Sequence, residues 1–151
     1  MVIPVVRPYK ITSDYGFRIL KGKPEFHKGI DLASETNFND VLSIADGIVT
    51  YDQDDYKEAL RWTDKHHSAG NMVIIRHEFR SGLYYIRYLH LGENRLYKGQ
   101  KIFEGARIGD YSDVGFSFGA HLHIDAFNMY WEKVNIKKIL LEEDNGFFKT
   151  D

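Results

Sequence analysis

Two histidines one residue apart, His121 and His123, carry the clearest chemical signal in the sequence. Side chains alternate between the faces of a β-strand, so both imidazoles would lie on one face. There they could bind a metal ion together, or one could bind the ion while the other transfers protons. The alternative is a pair of histidines on the solvent face of an edge strand. Because burying two imidazoles costs desolvation energy, a metal site or proton relay explains the pair better than packing does.

Residues of the same chemistry occur in two earlier segments. His27 and Asp31 are four positions apart, and the intervening Gly29 opposes a helix. We therefore expect His27 on a loop and Asp31 at the start of a strand. His90 follows in the run YLHL, where the alternative is a half-buried histidine at a strand end. Nitrogen and carboxylate ligands from distant segments are typical of a catalytic zinc site.

Composition narrows the remaining possibilities. The chain has 151 residues, 43% of them hydrophobic, which predicts a single globular domain over residues 1–151. It has no cysteine, so disulfides and thiolate metal sites are excluded. Its net charge is −2, and its basic residues are scattered and interleaved with acidic ones. The sequence therefore has no basic patch of the kind that binds nucleic acid. We expect the other histidines at the surface: His66, His67 and His77.

The elements that would position these residues are mainly strands. Short β-branched and aromatic runs recur between glycine-containing turns, which is typical of an all-β sandwich or barrel. The predicted strand runs are VLSIADGIVTYD with a turn at Asp46-Gly47, NMVIIRHEF and GLYYIRYLHL around a turn at Ser81-Gly82, KIFEGARIGDYS with turns at Gly105 and Gly109-Asp110, and AHLHIDAF.

Two helices are predicted beside the strands. Residues 52–69 are polar and strand-free, and we interpret them as an insertion that holds a short helix over Tyr56–Lys65. Apolar residues three and four positions apart predict a C-terminal helix over Asn135–Glu143.

The N-terminal apolar run is too short for a signal peptide, and no run reaches the length of a membrane span. We therefore expect that the protein acts where it is made, that it is exported by another route, or that it has a leader that this sequence does not include.

The ordered motifs resemble the lysostaphin-type (LytM-like) zinc metalloendopeptidases, which cut peptidoglycan peptides. The resemblance covers about residues 11–127, interrupted by residues 52–69, and lies in the following segments: SDYGFRI (13–19), HKGIDLA (27–33), ADGIVTY (45–51), GNMVIIRH (70–77), YLHLGE (88–93) and KGQKIFEGARIGDYSDVGFSFGAHLHIDAF (98–127). The chain departs from the family in NFNDVLSIADG, which lacks the usual Gly and Pro, and in Gly119-Ala120, where the family has Gly-Pro. These differences leave the metal residues in place and the substrate preference open.

The resemblance implies the fold and the roles of the site residues. The fold would be a groove-bearing antiparallel β-sandwich with a duplicated hybrid motif, in which the insertion and the loop over residues 111–118 wall the groove. The zinc ligands would be His27, Asp31 and His123. His121, as principal base, and His90, as its partner, would activate the zinc-bound water and stabilise the intermediate. Arg18 would orient a ligand or a substrate carboxylate, or alternatively form a surface salt bridge.

The resemblance also implies a setting for the chain. The substrate would be a peptidoglycan stem peptide or cross-bridge of the bacterial cell wall. The lack of a signal peptide and the single compact domain would fit a phage-borne lytic enzyme, a virion tail component or part of a larger assembly. One alternative is a catalytically inactive LytM-like domain that binds or regulates wall hydrolases. Another is a structural domain that retains zinc. The bond that is cut stays open.

Overall fold

Alternating apolar and polar residues give the described part of the chain twelve strands and one short helix. The structure is a computed structural model that describes residues 1–53, 71–92, 94, 96–112 and 120–142. In chain order the elements are β1 (Tyr9–Ser13), β2 (Gly16–Leu20), β3 (Lys23–His27), β4 (Ile30–Ser34), β5 (Asp40–Leu42), β6 (Gly47–Gln53), β7 (Asn71–Phe79), β8 (Gly82–Leu91), β9 (Lys101–Ile102), β10 (Arg107–Asp110), β11 (Leu122–Phe127), β12 (Lys133–Val134) and α1 (Ile136–Glu142).

One large antiparallel sheet organises these elements. Its strands follow the order β1-β4-β11-β8-β7-β6-β9, and β12 pairs with β11. Two ribbons, β5 with β10 and β2 with β3, complete the described architecture. The expected antiparallel, β-dominated fold with a C-terminal helix is confirmed. Within the described residues, no helix has the length and apolarity that crossing a membrane requires.

The core lies on one face of the large sheet. Alternate residues of the central strands point to that face and are fully buried, for example Ile86 and Tyr88 on β8 and Leu122 and Ile124 on β11. The β5–β10 ribbon and α1 cover this face, with the following side chains in the same core: Val41, Ile108, Ile136, Ile139 and Leu140. The intervening residues of β8 and β11 point to the opposite face, which also carries Asp31.

The predicted strands are present, but two turns differ from the expectation. The β7–β8 hairpin turns through Arg80 and Ser81, one residue before the predicted position, because Phe79 pairs with Gly82. Gly109 and Asp110 form no turn, since they continue β10 across an irregular register with β5. The turn at Gly105 is confirmed.

His77 is buried, so its expected surface position is wrong. Its Nδ1–H donates to the carbonyl of Asp46 at 2.9 Å, and its Nε2 accepts from the Tyr88 hydroxyl at 3.0 Å. That hydroxyl in turn accepts the backbone N–H of Ile44 at 3.2 Å. Burial lowers the pKa of His77 to about 4, so the ring is neutral near pH 7.

The predicted insertion and the predicted wall loop lie mostly outside the described residues. Strand β6 continues through Gln53, so the expectation that residues 52 and 53 are strand-free is wrong. The predicted helix over residues 56–65 lies outside the described residues, as do His66 and His67, which we expected at the surface. The same is true of residues 113–119 in the expected wall loop.

Candidate metal centre

The two predicted ligands on β4 and β11 face each other across a strand pair. Asp31 is the second residue of β4 and His123 the second of β11, and the antiparallel register places them directly opposite. His27 is the last residue of β3, so its expected loop position is wrong. Only two residues separate β3 from β4, so His27 lies close to Asp31 on the next strand.

The ligand atoms of these residues form a triangle of the size that zinc requires. The His27 Nε2–His123 Nδ1 distance is 3.2 Å, the His123 Nδ1–Asp31 Oδ1 distance 2.9 Å, and the His27 Nε2–Asp31 Oδ1 distance 3.5 Å. A tetrahedron with Zn–N bonds of 2.0–2.1 Å has edges of about 3.4 Å. Two imidazoles and a carboxylate are also a catalytic zinc donor set. The three residues therefore fit the metal.

The second ring nitrogen of each histidine is fixed by a hydrogen bond. His27 Nδ1–H donates to the backbone carbonyl of Asp14 at 3.0 Å, with Ser13 Oγ at 3.2 Å. His123 Nε2–H donates to Asp125 Oδ2 at 3.0 Å. Each bond leaves the opposite nitrogen with its lone pair directed into the triangle. The tautomers are therefore set for metal binding.

Asp125 is a partner of His123 that we did not predict as a functional residue. It is fully buried, and Arg87 Nε and Nη2 donate to its two oxygens at 2.7 and 2.6 Å. Lys133 Nζ lies 3.3 Å from Oδ2. Burial raises the pKa of the Asp125 carboxyl, but the hydrogen bonds from Arg87 and His123 outweigh burial and hold it well below its usual range. The carboxylate is therefore charged at every pH of interest.

The charges around His123 favour a cation at the triangle. Burial lowers the pKa of His123, but the adjoining carboxylates of Asp125 and Asp31 outweigh burial and raise it above its ordinary value. An environment that stabilises the positive charge of a proton stabilises the charge of a metal ion as well.

Arg18 contacts the metal centre through Asp31. Its Nη1 lies 3.5 Å from Asp31 Oδ2 and donates to Ser13 Oγ at 2.9 Å, while Nη2 pairs with Glu25 at 3.3 Å. Burial raises the pKa of Asp31, but the adjoining imidazoles of His123 and His27 outweigh burial and hold it well below its usual range. Arg18 thus touches a predicted ligand and also forms the salt bridge that was its alternative.

Gly29 gives His123 the room that its ring needs. A Cβ at position 29 would lie 2.4 Å from His123 Cε1, 2.6 Å from Nε2 and 2.7 Å from the carbonyl of Ile124. Real Cβ atoms do not approach so closely, so any side chain there displaces the ring or the strand.

The two remaining histidines lie beside the triangle. His121 immediately precedes β11, and its Nε2 is 3.7 Å from Asp31 Oδ2. His90, near the end of β8, is buried, with its ring centroid 4.8 Å from that of His121 and 6.0 Å from that of His123. Its backbone φ of 62° is uncommon for a residue with a side chain and typical of functional sites. The structure thus brings all five predicted site residues together.

Solved structures with the same fold contain peptidases. The catalytic domain of the prophage-encoded M23 protein EnpA from Enterococcus faecalis matches with a TM-score of 0.64 at 26% identity, covering 86% of this chain and 90% of that one. A zinc-containing peptidase from Vibrio cholerae matches with a TM-score of 0.62 at 29% identity, covering 87% and 37%. The catalytic domain of lysostaphin from Staphylococcus simulans matches in fold with a TM-score of 0.64 at 22% identity, covering 88% and 92%.

The sequence comparisons agree with the structural ones. The peptidoglycan DD-endopeptidase ShyA of Vibrio cholerae is 33% identical over 125 residues, which cover 81% of this chain. The match spans only 26% of ShyA itself. The sequence model of peptidase family M23 matches residues 25–136, well over half of the chain. The chain therefore belongs to peptidase family M23.

Proposed function

We propose that this chain is a zinc-dependent endopeptidase that hydrolyses peptide cross-links of bacterial peptidoglycan. The observation that carries the proposal is the triangle of ligand atoms from His27, Asp31 and His123, with edges of 2.9–3.5 Å. Membership of the M23 peptidases supports it, as does the 33% identity to a relative named a peptidoglycan DD-endopeptidase. The zinc-containing neighbour at 29% identity supports the choice of metal.

His27 Nε2, His123 Nδ1 and one oxygen of Asp31 would hold the ion. Bound Zn²⁺ supplies Lewis acidity, which lowers the pKa of a water and polarises a carbonyl. Three protein ligands are the number found in catalytic rather than structural zinc sites. Arg18, 3.5 Å from Asp31 Oδ2, restrains the carboxylate that completes the set.

His121 and His90 would transfer the protons. We assign the role of general base to His121, because its Nε2 lies 3.7 Å from Asp31 Oδ2 and thus next to the ligands. Its ring lies edge-on to His90, with centroids 4.8 Å apart, so the two imidazoles are close enough to act on one reacting group. His90 would then donate a hydrogen bond to the oxygen that gains negative charge during attack.

Digestion of purified peptidoglycans from several wall types tests the proposal. The products are analysed by mass spectrometry after treatment with a chelator and after zinc is added back. We expect new peptide termini that disappear with the chelator and return with zinc, and their masses will identify the bond. Folded, zinc-loaded protein that cleaves no wall type would contradict the proposal and favour a role in binding or regulating other hydrolases.

We also propose a phage-borne setting, either as a lytic enzyme or in a virion tail. The support is the prophage-encoded neighbour EnpA at 26% identity. The genes that surround the coding sequence test this setting, because structural phage genes are expected beside it. A coding sequence among bacterial wall-synthesis genes would contradict it.

A further inference from the structure

The sheet face that carries the metal centre continues to a group of aromatic rings. Phe127 follows His123 by four residues on β11, so it points to the same face about 13 Å further along the strand. In the register with β8, Phe127 lies opposite Tyr85. The face therefore runs from the predicted zinc ligands, past Asp125 and Arg87, to a pair of aromatic side chains.

Trp131 completes this group, which we call the aromatic platform (Tyr85, Phe127 and Trp131). Its ring stacks on Tyr85 with centroids 4.6 Å apart and an interplanar angle of 23°, and it lies 5.7 Å from Phe127. Hydrogen bonds close the turn beneath it, from Trp131 N–H to the Asn128 carbonyl and from Asn128 N–H to the Glu132 carbonyl. Yet Trp131 is 56% exposed. The platform is thus held in place with its largest ring open to solvent.

A cavity adjoins the platform on the same face. Arg76 lies opposite Tyr85 in the β7–β8 register and lines a cavity of about 400 Å³. That volume falls within the range of small-ligand sites. Its charged lining residues are balanced in sign: Asp46, Glu78, Arg76 and Lys101. Such a lining suits a polar but uncharged ligand better than an ion.

We propose that the platform and the cavity bind a sugar ring of the glycan strand that carries the cleaved peptide. This inference rests on the proposed function. Aromatic faces are electrostatically negative and attract the C–H face of a sugar. The charged groups of the cavity can hydrogen bond to sugar hydroxyls and amides. The distance also fits, because about four residues of extended peptide span 13 Å.

A protein partner fits this surface less well than a substrate does. The platform and the metal centre share one face and lie about 13 Å apart along β11. A stable protein interface covers about 800 Å² on each partner and would also cover the metal centre. A substrate with a sugar and a peptide would occupy both places during catalysis.

Kinetics on paired substrates test the inference. One substrate is a cross-linked disaccharide-peptide dimer, and the other is the same peptide dimer without its sugars. For Trp131→Ala we expect kcat/KM on the sugar-bearing dimer to fall about tenfold, the loss expected for one ring contact, with no change on the sugar-free dimer. Phe38→Ala, which removes a 65% exposed ring between β4 and β5, is the matched control and should change neither value.

Other outcomes would overturn the inference. Equal losses on both dimers would mean that the platform holds peptide, and no loss on either would mean that it holds no substrate. Calorimetric titration with the sugar-bearing dimer separates this test from the proposed function, since binding requires no cleavage. If the wild type cleaves neither dimer, the proposed function fails. Binding that weakens in Trp131→Ala but not in Phe38→Ala would still support the sugar site, and its absence in the wild type would refute it.

Discussion

Arg87 lies directly opposite Asp125 in the register between β8 and β11, and its guanidinium donates two hydrogen bonds to that carboxylate. Asp125 Oδ2 also accepts the Nε2–H of His123 at 3.0 Å, and Lys133 Nζ lies 3.3 Å from the same oxygen. The buried carboxylate of Asp125 therefore bonds both to a neighbouring strand of the central sheet and to His123, a predicted zinc ligand whose ring it orients. Partners of this kind commonly change metal affinity 10–100-fold when they are mutated.

Asp125→Asn is expected to weaken zinc binding about 10–100-fold. The amide keeps the shape of the side chain but removes the charge that fixes the His123 tautomer and attracts the ion. Zinc affinity would be measured by competition with a chromophoric chelator. Asp40→Asn is the matched control, since Asp40 also pairs with an arginine, at 2.7 Å, but lies in the β5–β10 ribbon, which carries none of the three predicted ligands. Equal affinities for both variants would contradict the assigned role.

Gly29→Ala is expected to reduce zinc affinity at least about tenfold. The added methyl would lie 2.4 Å from His123 Cε1, and shifts of a fraction of an ångström are enough to spoil ligand geometry. The comparison is Gly47→Ala, whose methyl would lie 2.8 Å from His77 Nδ1 and 2.5 Å from Ile75 Cγ2. Both variants should lower the melting temperature, but only Gly29→Ala should lower zinc affinity. A Gly29→Ala protein that binds zinc like the wild type would refute the argument.

The candidate ligands could be predicted from sequence because their types and order carry the information. Asp125 could have been found by the same reasoning, since it follows His123 by two residues on one strand face. Arg87 could not, because its contact depends on the register between two strands about 38 residues apart in sequence. His77 was misplaced because a polar residue type suggests exposure, whereas its two hydrogen bonds make burial inexpensive.

His77 is expected to make the protein less stable as the pH falls from about 6.5 to about 4. Its pKa is lowered from 6.5 in the unfolded chain to about 4 in the folded one. Between these values the unfolded state binds a proton and the folded state does not, so acid favours unfolding. The contribution to the free energy of unfolding is about 3 kcal/mol and is fully present above pH 6.5.

Urea titrations of the wild type and His77→Gln at pH 7 and pH 4.5 would isolate this contribution. The variant starts from a lower stability, but its loss on acidification should be smaller than that of the wild type by about 2–3 kcal/mol. Other titrating groups are common to both proteins and cancel in the comparison. Identical losses would mean that His77 takes up its proton in the folded state.

Alanine at His121 or His90 is expected to leave zinc binding intact while lowering turnover. Neither residue supplies one of the three ligand atoms of the triangle. Yet His121 Nε2 lies 3.7 Å from Asp31 Oδ2, and the ring centroids of His121 and His90 are 4.8 Å apart. Loss of a general base or acid commonly lowers kcat by 10²–10⁴-fold. His123→Ala and Asp31→Ala should instead lose the metal itself.

Zinc content and kcat measured on the same protein batches would separate the two groups of variants. We expect His121→Ala to retain stoichiometric zinc at a kcat reduced at least about a hundredfold, and His123→Ala to contain little zinc. Zinc added in excess should not restore His121→Ala, because its defect is in proton transfer. A zinc-loaded His121→Ala protein with wild-type turnover would remove His121 from the mechanism and leave His90 as the candidate base.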